Sequence, residues 1–481
     1  MSPSSRSGGR RGLGLALIAA AQFVVIMDTS IIGVALPDMQ AALGFTPESL
    51  SWVFNAYVVA FGGLLLLGGR LADVLGARRV FIAGWTILAL GSVLAGAAPD
   101  AVTEIVGRAV QGGGAALIAP AALSLLMALF GGTAELPRAF AVYGAAAPIG
   151  GTAGVFLGGV LTEYASWPWV FYVTVPIAVL VIAFTPAALP AVPGGRGSVD
   201  LAGALTATLG LATIVYAVVR APEAGWGGPE TILGLVAGIV LLVLFFVIQS
   251  RRRTPLLRLG IFRAPQLGGA NLAQLLLGAA WVPMWFFLNL YLQQVLGAGA
   301  FASGAALLPM TALIVVVMVA LAPRLQARFG AKALIAWGFV LLAAGLGWLA
   351  LARPDGAYAL DVLPASLVAA FGMALAFVPS LGTAISAARP EEAGVASGLV
   401  NTSYQIGSAV GLAVLTAVGA AMTSGTDAAG LTAGYSAAFL GAAIVAAVGF
   451  LAAVLFLRGR ARPGAGQSAS AEPAAELSPG A

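Results

Sequence analysis

The 481-residue chain has no cysteine, no histidine and a single lysine, Lys332, among its 23 basic residues. Without cysteine there is no disulfide, no thiol nucleophile and no thiolate metal site. Without histidine the usual group that titrates near neutral pH is missing, so proton chemistry falls to carboxylates. Charge is scarce too, at 9% of residues, against roughly 25% in soluble domains. What is abundant is apolar: 60% of residues are hydrophobic and the mean hydropathy is +1.01. A water-soluble globule has too little polar surface to cover that much apolar side chain. A soluble enzyme, a DNA-binding protein and a disordered scaffold are therefore excluded, and lipid must be the solvent. The excess of Ala, Gly and Arg suggests a GC-rich bacterial genome.

A bilayer core takes about 20 apolar residues per helix. Candidate spans lie near 13–36, 51–70, 80–98, 103–130, 138–163, 168–190, 199–220, 231–250, 265–294, 302–323, 332–352, 361–387, 396–422 and 433–457, fourteen in all. The first follows Arg6, Arg10 and Arg11 but is too long for a signal sequence and carries Asp28, so it reads as a retained helix. With the N-terminus in the cytoplasm, 20 of the 23 basic residues fall in cytoplasmic segments. The clusters are Arg70/Arg78/Arg79, Arg251/Arg252/Arg253/Arg258/Arg263, Arg324/Arg328/Lys332 and Arg458/Arg460/Arg462. Arg220 and Arg353 fall outside, and Arg108 lies within a span. The opposite loops are acidic: Asp38, Glu48, Asp100, Glu163, Glu223, Asp355, Asp361 and Asp427. This bias predicts that both termini are cytoplasmic. The formal net charge of +5 is thus a topology signal, and no nucleic-acid partner is expected.

The loop after the second span, Arg70 to Arg78, and the loop after the tenth, Arg324 to Lys332, both read R-L-x4-G-A-(R/K), 254 residues apart. Each joins the second and third spans of a six-span block, so the chain parses as six, two, six by duplication. The expected parts are a cytoplasmic N-terminus at 1–12, a six-helix bundle at 13–190 and a linker with two extra crossing helices at 191–264. A second six-helix bundle follows at 265–457, then a small-residue, Pro-rich tail at 458–481 that reads as disordered. Duplicated halves with a site between them suit alternating access.

The motifs carry a resemblance. MDTSIIGVALP at 27–37 resembles the first-helix motif of the fourteen-span drug:proton antiporters of the major facilitator superfamily. GRLADVLGARR at 69–79 resembles the superfamily's signature loop, RAVQGGGAA at 108–116 its fourth-helix motif, and GVFLGG at 154–159 the antiporter motif of the fifth helix. LQQVLG at 292–297 with Pro309, and GVASGLVNT at 394–402, extend the likeness through the second block. Val74 and Val155 depart from it, replacing a basic residue and a proline. The resemblance implies an all-α integral membrane fold of two six-helix bundles with two central extra helices, sited in the bacterial inner membrane as a monomer. It also implies proton-coupled efflux of drugs or antibiotics. Because no carboxylate is embedded in the spans of the second block, lipophilic neutral or monocationic substrates are expected rather than dications. The lack of histidine, cysteine and a nucleotide-binding loop predicts no enzyme activity and no cofactor beyond the proton gradient. Two rivals stand beside the efflux reading: export of a native metabolite, peptide or lipid precursor, and a transport-inactive sensor or scaffold.

Asp28 is the main candidate for proton coupling. A carboxylate in mid-membrane costs on the order of 2.5–3.5 kcal/mol by insertion scales, so it demands a reason: a proton/cation exchange site, or a structural ion pair. Arg108 is its expected partner, directly or through Gln111 or water, and the resemblance implies a coupling role for it. The plainer alternative is that Arg108 braces backbone carbonyls. Gly69 and Gly76 would permit tight turns around Asp73, with Arg78 and Arg79 in a basic loop, and the resemblance implies a conformational latch there. Gly154, Gly158 and Gly159, beside Gly150 and Gly151, form a small-residue face suited either to close helix packing or to a sliding interface. The ninth span bears Gln274, Trp281, Trp285 and Asn289, a polar and aromatic set suited to a cavity for amphipathic ligands. Gln22, Asn55, Gln111, Asn401 and Gln405 are further lining candidates. Tyr291, Trp167, Trp169 and Trp226 read as interface anchors, and Glu163 as a solvated group at the outer mouth. No metal site and no nucleotide-binding loop is expected.

Overall fold

A computed structural model describes residues 3–457 apart from 47–48, 132, 192, 196–198, 253–254, 257–259, 261–265 and 388–392. The expected disordered tail lies outside the described residues, as do Glu48 and the basic residues Arg253, Arg258, Arg263, Arg458, Arg460 and Arg462. Among the described residues there is no strand. Within the described residues fourteen helices are long and apolar enough to cross a membrane, and each overlaps an expected span. Lipid offers backbone groups no partner, so an apolar run of this length must satisfy its own hydrogen bonds as a helix.

The crossing helices are α1 (Pro3–Leu43), α2 (Trp52–Leu75), α3 (Ala77–Gly96), α4 (Ala101–Phe130), α5 (Leu136–Tyr164), α6 (Thr174–Ala188), α7 (Leu201–Ala224) and α8 (Pro229–Arg251). They continue with α9 (Leu267–Leu290), α10 (Ala300–Val316), α11 (Ala331–Leu349), α12 (Leu363–Ala387), α13 (Ala393–Met422) and α14 (Ala428–Phe456). A one-turn lead-in at Trp169–Tyr172 precedes α6, and α10 runs on through a π-turn into Ala322–Phe329. Gly76 and Gly330 occupy the same place in the duplicated loop and adopt φ of 92° and 83°, a region favourable only to glycine. Each ends one helix and lets the next begin at the following residue. Gly69, expected in the turn, is instead inside α2, which runs unbroken to Leu75. The turn needs one left-handed residue, and Gly76 supplies it.

The two six-helix blocks use the same contacts. In each, the first helix packs on the fifth (α1 on α5, α9 on α13) and the third on the fourth (α3 on α4, α11 on α12). Between blocks, the fifth helix of one meets the second of the other: α5 on α10, and α13 on α2. This exchange is a pseudo-two-fold relation between duplicated halves. The extra helices form a hairpin. α7 lies along α2 and α13, while α8 exposes Ile232, Leu233, Val236, Ile239, Val240, Val243 and Phe246 outward. Asp200, buried at the start of α7, accepts from Gly203 N at 2.9 Å and Gln249 Nε2 at 2.7 Å, and pairs with Arg252 at 3.2 Å. That cluster, which the sequence reading passed over, fixes one end of the hairpin.

Candidate functional site

α1 is longer than its sequence pattern suggests, reaching Leu43 past Pro37. Asp28 therefore sits fifteen residues from its C-terminal end, about 22 Å at 1.5 Å per residue, close to the middle of the span. The polar residues near Asp38 and Gln40 do not end the helix.

Asp28, Arg108, Gln111 and Ser92 are all fully buried and hydrogen-bonded into one network. Arg108 Nη1 donates to Asp28 Oδ2 at 2.7 Å and to Gln111 Oε1 at 2.7 Å. Gln111 Nε2 donates to Asp28 Oδ1 at 3.0 Å and to Ser92 Oγ at 2.8 Å. Arg108 Nε donates to the Val53 carbonyl at 2.8 Å, and its guanidinium lies 4.6 Å from the centre of the Tyr57 ring. The link from Asp28 to Arg108 is thus both direct and through Gln111, and the arginine braces a backbone carbonyl as well. Four helices meet here: α1 gives Asp28, α2 gives Tyr57 and Val53, α3 gives Ser92, α4 gives Arg108 and Gln111. Close approach makes this possible. A Cβ on Gly91 would stand 2.7 Å from Gln111 N, and one on Gly107 2.7 Å from Ala95 N, so any larger residue would separate α3 from α4. An arginine and a carboxylate without water are held only if paired and hydrogen-bonded, as here.

Tyr57, Ser92 and Glu104 were missed by sequence reasoning. Glu104 is fully buried one turn before Arg108, and neither carboxyl oxygen has a hydrogen-bond partner. Its spacing of four residues from Arg108 was the available signal.

The other expected lining residues are placed differently. Asn55 is fully buried, with both side-chain polar atoms unpartnered. Gln22 is half-buried on α1. Gln274 Nε2 bonds Ser380 Oγ at 2.8 Å and the Phe377 carbonyl at 3.0 Å, pinning α9 to α12. Trp281 is packed in the second block's core, while Trp285 is half-buried. Asn289 donates to the Trp285 carbonyl at 2.8 Å and abuts Gly33 of α1. Gln405 lies against Gly62 of α2, and half-buried Asn401 is on the same helix, α13. Two cavities are prominent elsewhere. One of about 240 Å³ is wholly apolar, between α9, α13 and α14; one of about 460 Å³ is lined by Thr46, Ser49, Trp52, Ile105, Tyr216, Val219 and Arg220. Neither touches Asp28, because the pair is sealed.

The two blocks are fastened at the acidic end. Gln293 Nε2 donates to the Val34 carbonyl at 2.9 Å, Gln294 Nε2 to Gln40 Oε1 at 3.1 Å, and the Phe301 amide to Glu163 at 3.4 Å. Tyr435 donates to Gln294 Oε1 at 2.5 Å. The small-residue face of α5 divides: Gly150, Gly154 and Gly158 lie on the α1 backbone, whereas Gly159 faces Ala300 and Phe301 of α10. Tyr291, expected at a lipid interface, is fully buried and donates to the Arg353 carbonyl at 2.6 Å. Arg353 also pairs with Asp361 at 3.1 Å, and that carboxylate raises the Arg353 pKa. At the basic end, Arg78 Nη1 donates to the Leu189 carbonyl at 3.3 Å, and Gly195 N to the Asp73 carbonyl at 2.8 Å. Asp73 is thus on the last turn of α2, Arg78 and Arg79 are on the first turn of α3 with Gly76 alone between the helices, and this corner is tied to the segment leaving α6.

The sequence profile of the Major Facilitator Superfamily matches residues 18–412. A relative, the cephamycin export protein CmcT of Amycolatopsis lactamdurans, is 41% identical over 93% of this chain and 93% of its own. The puromycin resistance protein pur8 of Streptomyces alboniger is 39% identical over 86% of this chain and 83% of its own. Among solved structures, a mutant of the nucleoside transporter NupG superposes with a TM-score of 0.65 at 15% identity, covering 93% of this chain and all of that one, which is a likeness of fold.

Proposed function

The chain belongs to the Major Facilitator Superfamily as a multi-pass protein of the bacterial plasma membrane, and we propose that it is a proton-coupled exporter of lipophilic neutral or monocationic drugs or antibiotics. The observation that carries the reading is the Asp28–Arg108–Gln111 network, a carboxylate and its counter-charge with no exposure at mid-membrane. Such a pair stays closed while Asp28 is ionised. A proton on Asp28 cancels its charge, weakens the hold on Arg108 and frees α1 and α4 to shift against each other. Binding one of proton and substrate then displaces the other, and alternating access does the rest.

The charge pattern supports assigning the basic end to the cytoplasm. On that assignment the described conformation is shut toward the outside by Gln293, Gln294, Asn289 and the Gly159 contact, with the protein acting as a monomer and using no cofactor. The energy is sufficient. A potential near 100 mV supplies about 2.3 kcal/mol per charge and one pH unit about 1.4 kcal/mol. Together they support a gradient of roughly several hundredfold for a neutral substrate per proton.

The test is substrate-induced proton release from acid-loaded inverted vesicles, read with a pH-sensitive dye. Puromycin, a cephamycin and a panel of lipophilic cations are added to vesicles bearing wild type or Asp28→Asn. Collapse of the gradient by a compound with wild type alone supports the reading. An equal response from both proteins to a transported compound removes Asp28 from coupling.

A further inference from the structure

Glu104 stands outside the hydrogen-bonded network and one helical turn from it. It precedes Arg108 by four residues on α4, about 6 Å along the axis and on the same face. It is fully buried, with both carboxyl oxygens unpartnered. Arg108 has a matching vacancy: Nη2 is buried and makes no hydrogen bond, while Nε and Nη1 make three. Four residues further toward the acidic end is Asp100, the exposed cap of α4. Carboxyl, carboxyl and guanidinium thus follow at steps of four residues from the acidic surface to the buried pair.

Charge balance sets the state of this column. The charged groups acting on Glu104 are Arg108, on its own helix, and Asp28, from α1. The other helices around the site bring Tyr57 from α2 and Ser92 from α3, and the lead-in before α6 brings Phe171, 5.9 Å from the Arg108 guanidinium. None of these carries a formal charge. One cation therefore serves two carboxyls, and Asp28 holds it in this conformation. A second ionised carboxylate here would be desolvated with no bond to offset it.

We propose that Asp28 and Glu104 share one proton and that Arg108 pairs with whichever of them lacks it, which makes Glu104 the acidic-end station of the proton path. In the conformation described, Glu104 holds the proton. In the transfer, its O–H bond breaks and an O–H bond forms on Asp28; Glu104 becomes the carboxylate, and Arg108 turns from Asp28 to Glu104. The cluster begins and ends neutral. Asp28 then releases the proton toward the basic end, and Glu104 is reloaded from the rim marked by Asp100. This rests on the proton-coupled reading above and names the second residue in it.

The test is infrared spectroscopy of the purified full-length protein in lipid at pH 7 with no substrate, reading the carbonyl stretch of buried protonated carboxyls. Wild type is expected to show one such band. Glu104→Gln loses it, and so does Asp28→Asn, because the freed Arg108 ionises Glu104. Arg108→Gln removes the cation that the two carboxyls share and adds a second band. A band that persists in Glu104→Gln, or in Asp28→Asn, overturns the proposal, as does wild type without one. If Arg108→Gln does not fold, the other three proteins still decide. Because no transport is required, a failure here is distinct from a failure of wild type to release protons with puromycin, which would sink the coupling reading instead.

Discussion

The acidic-end closure can be locked, and the absence of native cysteine makes the experiment clean: Gly159→Cys with Phe301→Cys introduces the only two thiols in the protein. A Cβ on Gly159 would stand 3.0 Å from Cα of Phe301. Adding a bond of roughly 1.5 Å places the two α-carbons no more than about 4.5 Å apart. A disulfide tolerates α-carbon separations up to about 6.8 Å. Once oxidised, the α5–α10 seam can therefore widen by only about 2 Å, less than a water molecule and far less than a drug. Export through the acidic end should fall to background on oxidation and return with reductant, while substrate binding from the basic end survives. Vesicle transport with and without oxidant gives the first readout and equilibrium binding of radiolabelled puromycin the second. The single-cysteine proteins set the baseline, since the extra atoms at Gly159 alone carry an overpacking cost of about 1–3 kcal/mol. Full cross-linking with undiminished export would refute the argument, because the seam between α5 and α10 would then not be a gate.

Three further outcomes follow from the same geometry. Arg108→Lys keeps the charge but not the fork that reaches Val53, Asp28 and Gln111 together, nor the flat face over Tyr57; losing one charged hydrogen bond and the ring contact should cost about 2–5 kcal/mol, seen as a lower melting temperature and lost coupling, and unchanged values of both would contradict it. Gly154→Val drives a side chain into the Met27 carbonyl, 2.8 Å from the new Cβ, and should destabilise the α1–α5 pair by about 1–3 kcal/mol; a fluorescence-monitored melt equal to wild type would rule this out. Asp100 has its pKa lowered mainly by the Thr103 amide hydrogen bond, so its cap on α4 is in place above the ordinary carboxylate range and is lost as pH falls through the lowered value. Amide exchange over 101–104, corrected for intrinsic rates, should rise in acid for wild type and stay flat with pH for Asp100→Asn.

The reach of the sequence differs from residue to residue. Asp28 and Arg108 were legible because a charge amid apolar residues is expensive wherever the helix places it. The turn at Gly76 was legible because glycine permits a tight corner, and the repeat placed Gly330 at the matching step, where the structure shows the same positive φ. Gly69 was misread, since glycine between two apolar runs has the same appearance inside a helix as in a turn. Tyr291 was misread for a similar reason: an aromatic near a helix end suits a lipid interface, and only its neighbours reveal the Arg353 carbonyl it bonds. Glu104 passed unnoticed although it falls inside the expected fourth span, 103–130: one residue from the start of a span an acidic side chain has the same appearance as a wet rim, and only its neighbours show it buried.

The sequence by itself determined the solvent, the number of crossings and the duplication, because apolar length and charge placement act locally and need no partner to be read. The absence of histidine and cysteine likewise left carboxylates as the groups to carry any proton chemistry. Only the tertiary structure decided which helices meet, since that depends on which small residues face each other across a seam. Gly158 joins α5 to α1, while its neighbour Gly159 joins α5 to α10 in the other half. The same holds for the buried charges. Their cost can be read from the chain, but which carboxylate holds Arg108 and which is left without a partner depends on rotations about helix axes that no linear pattern records.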